Sequence, residues 1–223
     1  MTFYYSACPI TQWRRRDAAR KGVIKMKKNQ KVLAFVVCLV FIVVSSAFAA
    51  ESFKTLQKKA QKGDVNSQFL LGVKYFKGEE VKQNYKEAVK WWLKAAEKGH
   101  DDARYNLAIA YENGWGVKKN YDEAIKWYRR AAENGLADAE YNLGISYATG
   151  EGVEKDSSEA FKWWSKAAEQ GHSQAQYNLG ILYYKGEGVE ENQELAVEFW
   201  RKAAQNGHTG AQEALNKIGE KWE

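Results

Sequence analysis

Tyr105-Asn106-Leu107-Ala108-Ile109 returns 36 residues later as Tyr141-Asn142-Leu143-Gly144-Ile145, and again as Tyr177-Asn178-Leu179-Gly180-Ile181. A worn copy, Phe69-Leu70-Leu71-Gly72-Val73, precedes them at the same spacing. A second string keeps the same beat: Glu87-Ala88-Val89-Lys90-Trp91-Trp92, Glu123-Ala124-Ile125-Lys126-Trp127-Tyr128 and Glu159-Ala160-Phe161-Lys162-Trp163-Trp164. A fixed period of about 20–50 residues marks stacked units, each able to bury its apolar face only against its neighbours. Such arrays usually present surfaces and seldom build a reaction centre.

Within one unit, 99–134, Ala103, Leu107, Ala110 and Tyr111 recur at helical spacing. Gly114-Trp115-Gly116-Val117 interrupts the pattern, and Asn120 opens a second helix carrying Ala124, Tyr128, Ala131 and Ala132 on one face. Asn120 with Glu123 three residues on reads as a capping box, in which each side chain serves a free backbone N–H. Asn84, Asp156 and Asn192 open the equivalent helices, with Leu195 standing in the last where a Glu is expected. Gly63, Gly99, Gly135, Gly171 and Gly207 end the units, while Gly78, Gly114, Gly150 and Gly186 mark the inner turns. The spacing therefore predicts a leading half-unit at 50–62 and helix–turn–helix units at 63–98, 99–134, 135–170 and 171–206. A trailing capping helix follows at 207–223. Ala88/124/160/196, Ala95/131/167/203 and Gly72/Ala108/Gly144/Gly180 are small where helices must approach closely. Trp91, Trp127 and Trp163 are expected to fill the gap to the following unit.

The formal charge of +6 sits at one end. Residues 1–50 hold nine Lys/Arg and one Asp, and residues 51–223 hold 25 Lys/Arg against 27 Asp/Glu. The repeats are nearly neutral, which excludes a nucleic-acid reading. Met26-Lys27-Lys28, the apolar run Val32–Val44 and the small residues Ala47-Phe48-Ala49 follow in the order of a secretory signal, expected to span 26–49. The rival is an uncleaved anchor, since Val32–Ala50 is 19 residues long. Either places the repeats outside the cytoplasm. Residues 1–25 read as a mis-assigned upstream leader ahead of a better start at Met26. The two cysteines, Cys8 and Cys38, both precede Ala49, so the exported part is expected to hold no disulfide and no Cys-ligated metal.

Ala139, Leu143, Gly144, Tyr147, Gly150, Gly152, Val153, Ala160, Trp164 and Ala167 form a pattern that resembles the Sel-1-like repeat, a relative of the tetratricopeptide repeat. The resemblance covers about residues 51–223, with Ser67 for Ala and Glu80 for Gly in the first unit and Leu195 and Phe199 in the fourth. It implies an all-α, right-handed α/α solenoid and an interaction scaffold. Periplasmic members resemble adaptors in envelope assembly, signalling and host contact. Some cysteine-rich members have been described as penicillin-binding or β-lactamase-like, but the paired cysteines of that group are absent here.

No residue pattern supplies a reaction centre. His100, His172 and His208 share one unit position beside the terminal glycine, too far apart to converge on one zinc ion, and are read as loop residues. Gly144-Ile145-Ser146-Tyr147-Ala148 lacks the last glycine of a nucleophile elbow, and no Ser-x-x-Lys occurs. No enzyme activity, cofactor or metal is expected. The better site is the first-helix face opposite the core. Asp102, Tyr105, Asn106 and Asn113 lie there, as do Asp138, Tyr141 and Asn142, and Gln174, Tyr177, Asn178 and Lys185. In tetratricopeptide relatives this face lines the concave groove. Glu112 and Tyr184 occupy a position that varies between units and is expected to tune partner choice. The alternative for Tyr141 and Asn142 is that they stitch neighbouring hairpins together. The expected function is a non-enzymatic adaptor for a protein or peptide in the bacterial envelope. The expected protein is monomeric, periplasmic or secreted, and meets the membrane only through the signal segment. The other readings are a penicillin-recognising hydrolase and a cell-wall glycan binder, the latter suggested by exposed aromatics such as Trp115.

Overall fold

The structure, a computed structural model, describes residues 53–222. The leader, the signal segment and both cysteines lie outside the described residues. Among those described there are ten helices and no strand. They are α1 (53–61), α2 (Val65–Lys77), α3 (Tyr85–Glu97), α4 (Asp101–Asn113), α5 (Tyr121–Ala132), α6 (Ala137–Thr149), α7 (Ser157–Glu169), α8 (Ser173–Lys185), α9 (Gln193–Gln205) and α10 (Thr209–Lys217). From α2 onward each helix packs on its neighbours in the chain, which is the all-α solenoid of hairpins that the period predicts.

One leucine per unit anchors the stack: Leu71, Leu107, Leu143, Leu179 and Leu215 are fully buried. Each such burial stabilises by about 1.5–3 kcal/mol. The two alanine rows are buried as well, and they let the helices approach. Gly72, Gly144 and Gly180 have a different reason. A Cβ on any of them would run into the indole of Trp92, Trp164 or Trp200, twenty residues on in the same hairpin. The one unit with alanine there, Ala108, has the smaller Tyr128 in place of tryptophan. The chain thus records a compensated pair within its own repeats.

The caps account for where helices begin. Asn84, Asn120, Asp156 and Asn192 each accept a backbone N–H from three residues on, at 3.1, 3.2, 3.1 and 2.9 Å. The reciprocal half of the capping box is not made. Glu87, Glu123 and Glu159 turn outward to Lys90, Lys126 and Lys162. The N–H groups they were expected to serve go to the carbonyls of Tyr75, Tyr111 and Tyr147 on the first helix of the same hairpin. Closing the hairpin supplies a backbone acceptor, so the carboxylate is free to form an i,i+3 ion pair.

The outer tryptophans also differ from expectation. Trp91 is buried with Ala60 of α1 and Leu71, so it packs toward the preceding unit. Trp163 likewise joins a cluster centred on α3–α6. Both rings carry a lysine over one face, Lys94 at 4.3 Å and Lys166 at 4.1 Å. Neighbouring units interlock through the second glycine of each inner turn. Gly116, Gly152 and Gly188, at φ 73°, 74° and 75°, press onto the first residues of α3, α5 and α7. Any Cβ there would meet Tyr85, Tyr121 or Ser157. No described helix is long and apolar enough to cross a membrane.

Candidate functional site

The first-helix face divides into an inner row and an outer row. The inner row consists of Tyr105, Asn106, Tyr141, Asn142, Tyr177 and Asn178, all half-buried. Tyr105, Tyr141, Asn142 and Tyr177 stitch units together. The ring of Tyr141 stacks on His172 at 4.5 Å, and Tyr177 on His208 at 4.4 Å, each histidine belonging to the next unit. Phe69 stacks on His100 in the same way at 4.4 Å. Asn142 Nδ2 donates to the Tyr105 hydroxyl of the preceding unit at 3.5 Å. Phe69 stands in the tyrosine position of the first unit and offers Asn106 no hydroxyl.

The histidines are therefore more than loop residues. His100, His172 and His208 are the N-caps of α4, α8 and α10, each accepting through Nδ1 the backbone N–H three residues on, at 3.4, 3.3 and 3.2 Å. Leu136 holds that place before α6 and makes no side-chain cap. Burial lowers the pKa of His172, and the Asp138 carboxylate at 3.4 Å opposes that shift. Among the described residues no three His, Asp or Glu side chains gather as a metal site.

A distinct polar network fills the junction of the second and third units. The Tyr128 hydroxyl donates to Glu112 Oε2 at 2.7 Å. It accepts from Asn142 Nδ2 at 3.1 Å, and the Tyr105 hydroxyl is a second acceptor for that amide at 3.5 Å. Burial first, then the Glu112 carboxylate, push the Tyr128 pKa far above the usual phenol value. Burial also raises Tyr105 and Tyr141. Tyr128 substitutes for tryptophan in the hairpin core, and its hydroxyl reaches the first-helix face. In the third and fourth units the indole N–H instead donates to a backbone carbonyl, Trp164 to Tyr141 at 3.1 Å and Trp200 to Tyr177 at 3.2 Å, whereas the buried Trp92 N–H of the first unit has no partner among the described residues. Glu112 is thus bonded inside the fold, whereas Tyr184 at the same unit position is 43% exposed.

The outer row is open to solvent. Asp102, Asp138 and Gln174 repeat at one position near the helix starts, and Asn113 and Lys185 lie near the helix ends. Behind them sits a row with no counterpart in the expectations: Gln68, Arg104, Glu140, Gln176 and Gln212. Gln68, Arg104, Gln176 and Gln212 donate to the carbonyls of Ala60, Ala96, Ala168 and Ala204 near the end of the preceding helix, at 3.1–3.3 Å. Glu140 cannot donate when ionised. It is buried, accepts from Gln170 Nε2 at 2.8 Å, and burial raises its pKa. Aligning the units would have found this row, because its polarity persists at an otherwise buried position.

The Sel1 repeat family profile matches residues 65–100, 101–136, 137–172 and 173–208. Among solved structures, the chain is similar to a protective antigen present in uropathogenic Escherichia coli strains displaying an SLR fold. The two share 38% identity over 74% of this chain and 36% of that one, with a TM-score of 0.73. It is also similar to a Sel1 repeat protein from Oxalobacter formigenes, with 35% identity over 76% of this chain and 49% of that one, and a TM-score of 0.71. This chain spans about a third and a half of the length of those two relatives. No curated protein matches it. With four matched units covering most of the chain, the protein belongs to the Sel1 repeat family.

Proposed function

We propose that the protein is a non-catalytic scaffold of the bacterial envelope that binds a protein or peptide along the first-helix face of its second to fourth units. The observation that carries this reading is the division of that face. Its inner tyrosines and Asn142 are tied between units, which fixes the spacing of the outer Asp102, Asp138 and Gln174. A rigid row at a constant interval suits an extended ligand, because little ordering has to be paid for on binding. Sel1 repeat proteins are in general protein-binding scaffolds, which agrees with it. The reading places Tyr184 as an aromatic anchor and Asp102, Asn113, Asp138, Gln174 and Lys185 as contacts of modest strength. Glu112, Tyr105, Tyr141, Tyr177 and Asn142 act by holding the row in register, while Asn106 and Asn178 stay with the partner-facing residues. Export through the 26–49 segment and a monomeric state are part of the same proposal.

The test is affinity capture from envelope extract with the unaltered protein and two variants. Reversing charge at Asp102, Asp138 and Lys185 should lower recovery of the captured partner at least tenfold. Reversing Lys126 and Lys162 on the second helices should leave it unchanged. The opposite pattern moves the binding surface to the second-helix face.

A further inference from the structure

We propose that the outer face of α3, together with the turn seated on its start, docks onto an anionic lipid surface. This adds a membrane contact to the one expected of the 26–49 segment. The near-neutral total charge of the repeats conceals a division along the stack. Residues 53–98 hold 11 Lys against five Asp/Glu, a net of +6. Residues 99–223 hold 14 Lys/Arg against 21 Asp/Glu, a net of −7.

α3 presents the positive end as an ordered face. Lys86, Lys90 and Lys94 recur at a spacing of four, so they share one side of the helix, and all three are exposed. At the first of these positions the later units have Asp122, Ser158 and Glu194, so α3 alone among the four second helices is basic at all three. α1 widens the face. Lys54 and Lys58 hold the unit positions of Lys90 and Lys94, and α1 packs with Trp91 of α3 through Ala60. Of the three α3 lysines, only Lys90 has a carboxylate partner among the described residues, Glu87 at 3.3 Å.

Aromatic rings border this face at the start of α3. Trp115 occupies the turn position that Glu79, Glu151 and Glu187 hold in the other units. It is 36% exposed, and Tyr85, the residue before Lys86, is 37% exposed. The two rings lie 6.2 Å apart at 21°, and each is 5.2 Å from Phe76. The turn holds Trp115 in place because Gly116 presses on the Tyr85 backbone. Trp and Tyr rings with a polar edge gather at the depth of lipid headgroups, and lysines beside them draw anionic lipid.

The residue types favour a lipid surface over a single soluble anion. All the cations of 53–98 are lysine. Lysine is a point charge and makes no fixed fork on one phosphate, so a spread of lysines suits a field of headgroups. The acidic remainder of the stack is repelled by the same surface, which makes the first unit the docking end. The lysines lie on second helices, so the first-helix face stays open to its partner.

The test sediments the protein, as it accumulates in cells, with vesicles of phosphatidylcholine alone or mixed with phosphatidylglycerol. Binding to the mixed vesicles should exceed binding to the neutral ones by roughly tenfold or more, and high salt should remove the excess. Lys86→Glu, Lys90→Glu and Lys94→Glu together should abolish it. Lys126→Glu, Lys162→Glu and Lys166→Glu together change the net charge equally and should leave most of it. A photoreactive aromatic residue at position 115 should crosslink to lipid, and one at position 151 should not. These two proteins keep every lysine, so loss of the lysine face cannot produce their difference, and all samples share the same N-terminal segment. No excess on the mixed vesicles, equal loss in the two triple variants, or equal lipid crosslinking from positions 115 and 151 would overturn the proposal. Binding to soluble polyphosphate, lost in the α3 variant, with none to the mixed vesicles, would make the occupant a soluble polyanion and refute the lipid assignment.

Discussion

The compensated pair Ala108–Tyr128 can be pulled apart and reassembled. In three units a tryptophan lies against glycine so closely that a Cβ would enter its ring. Tyr128→Trp alone should therefore drive an indole into the Ala108 methyl, an overpacking worth about 1–3 kcal/mol. It also strips Glu112 and Asn142 of a half-buried hydroxyl partner, at roughly 1 kcal/mol per bond. Ala108→Gly alone leaves a gap beside Tyr128 and places glycine inside α4, costing about 1 kcal/mol. Together the two changes recreate the Gly–Trp contact of the other hairpins, with the indole N–H aimed at the Tyr105 carbonyl as Trp164 aims at Tyr141. The double variant should recover most of the steric loss, giving a favourable coupling of about 1–3 kcal/mol. Urea unfolding followed by circular dichroism measures the four corners of this cycle. Strict additivity would refute the view that the glycine exists to admit the ring.

Three further outcomes follow from the polar contacts. Glu140→Gln should stabilise the protein near neutral pH, because glutamine can donate to the Ala132 carbonyl as Gln68, Gln176 and Gln212 do at their positions. Burial raises the Glu140 pKa from its ordinary 4.5, so the folded state holds the proton more tightly. Glu140 is therefore best tolerated below 4.5, and the advantage of the variant should grow as pH rises through the folded value. A pH-independent difference in melting temperature would contradict this. His172→Asn should keep the α8 cap yet remove a pH dependence. The folded His172 pKa lies below 6.5, so its contribution is full above 6.5 and is lost as pH falls through the folded value. The lost cap is worth about 1 kcal/mol, readable as a melting-temperature difference between variant and parent that opens only in acid. Asn142→Ala should lower stability by about 1–2 kcal/mol, since it leaves the Tyr128 and Tyr105 hydroxyls without their amide donor. Helical content measured by circular dichroism at low temperature should not change.

Most of the fold is legible in the sequence because its signals are local and repeated. Asn84, Asn120, Asp156 and Asn192 announce helix starts, and glycines at positive φ end both helices of each unit. What escapes reading is the choice between partners once the hairpin closes. Glu123 has two plausible targets in the sequence, and tertiary contact decides for Lys126 because the Tyr111 carbonyl has already taken the Asn120 N–H. The histidines were legible as a repeated position but not as caps, since histidine is an uncommon N-cap and the aromatic partner lies a unit away. The same distance hides the role of Tyr141 and Asn142, whose contacts cross the junction between units. Trp91, expected to face the following unit, packs toward the preceding one, because a ring at the edge of a hairpin has a neighbour on each side and the period does not choose between them. The Gly–Trp and Ala–Tyr pairing, in contrast, stands in the sequence as a covariation across the four units.

The most direct measurement is site-specific photo-crosslinking in cells, with a photoreactive residue placed singly at Asp102, Gln174 or Lys185 on the first-helix face and at Lys126 or Lys162 on the second. The account expects one discrete crosslinked species shared by the three first-helix positions and none from the two lysines. Crosslinks confined to Lys126 and Lys162 would contradict it.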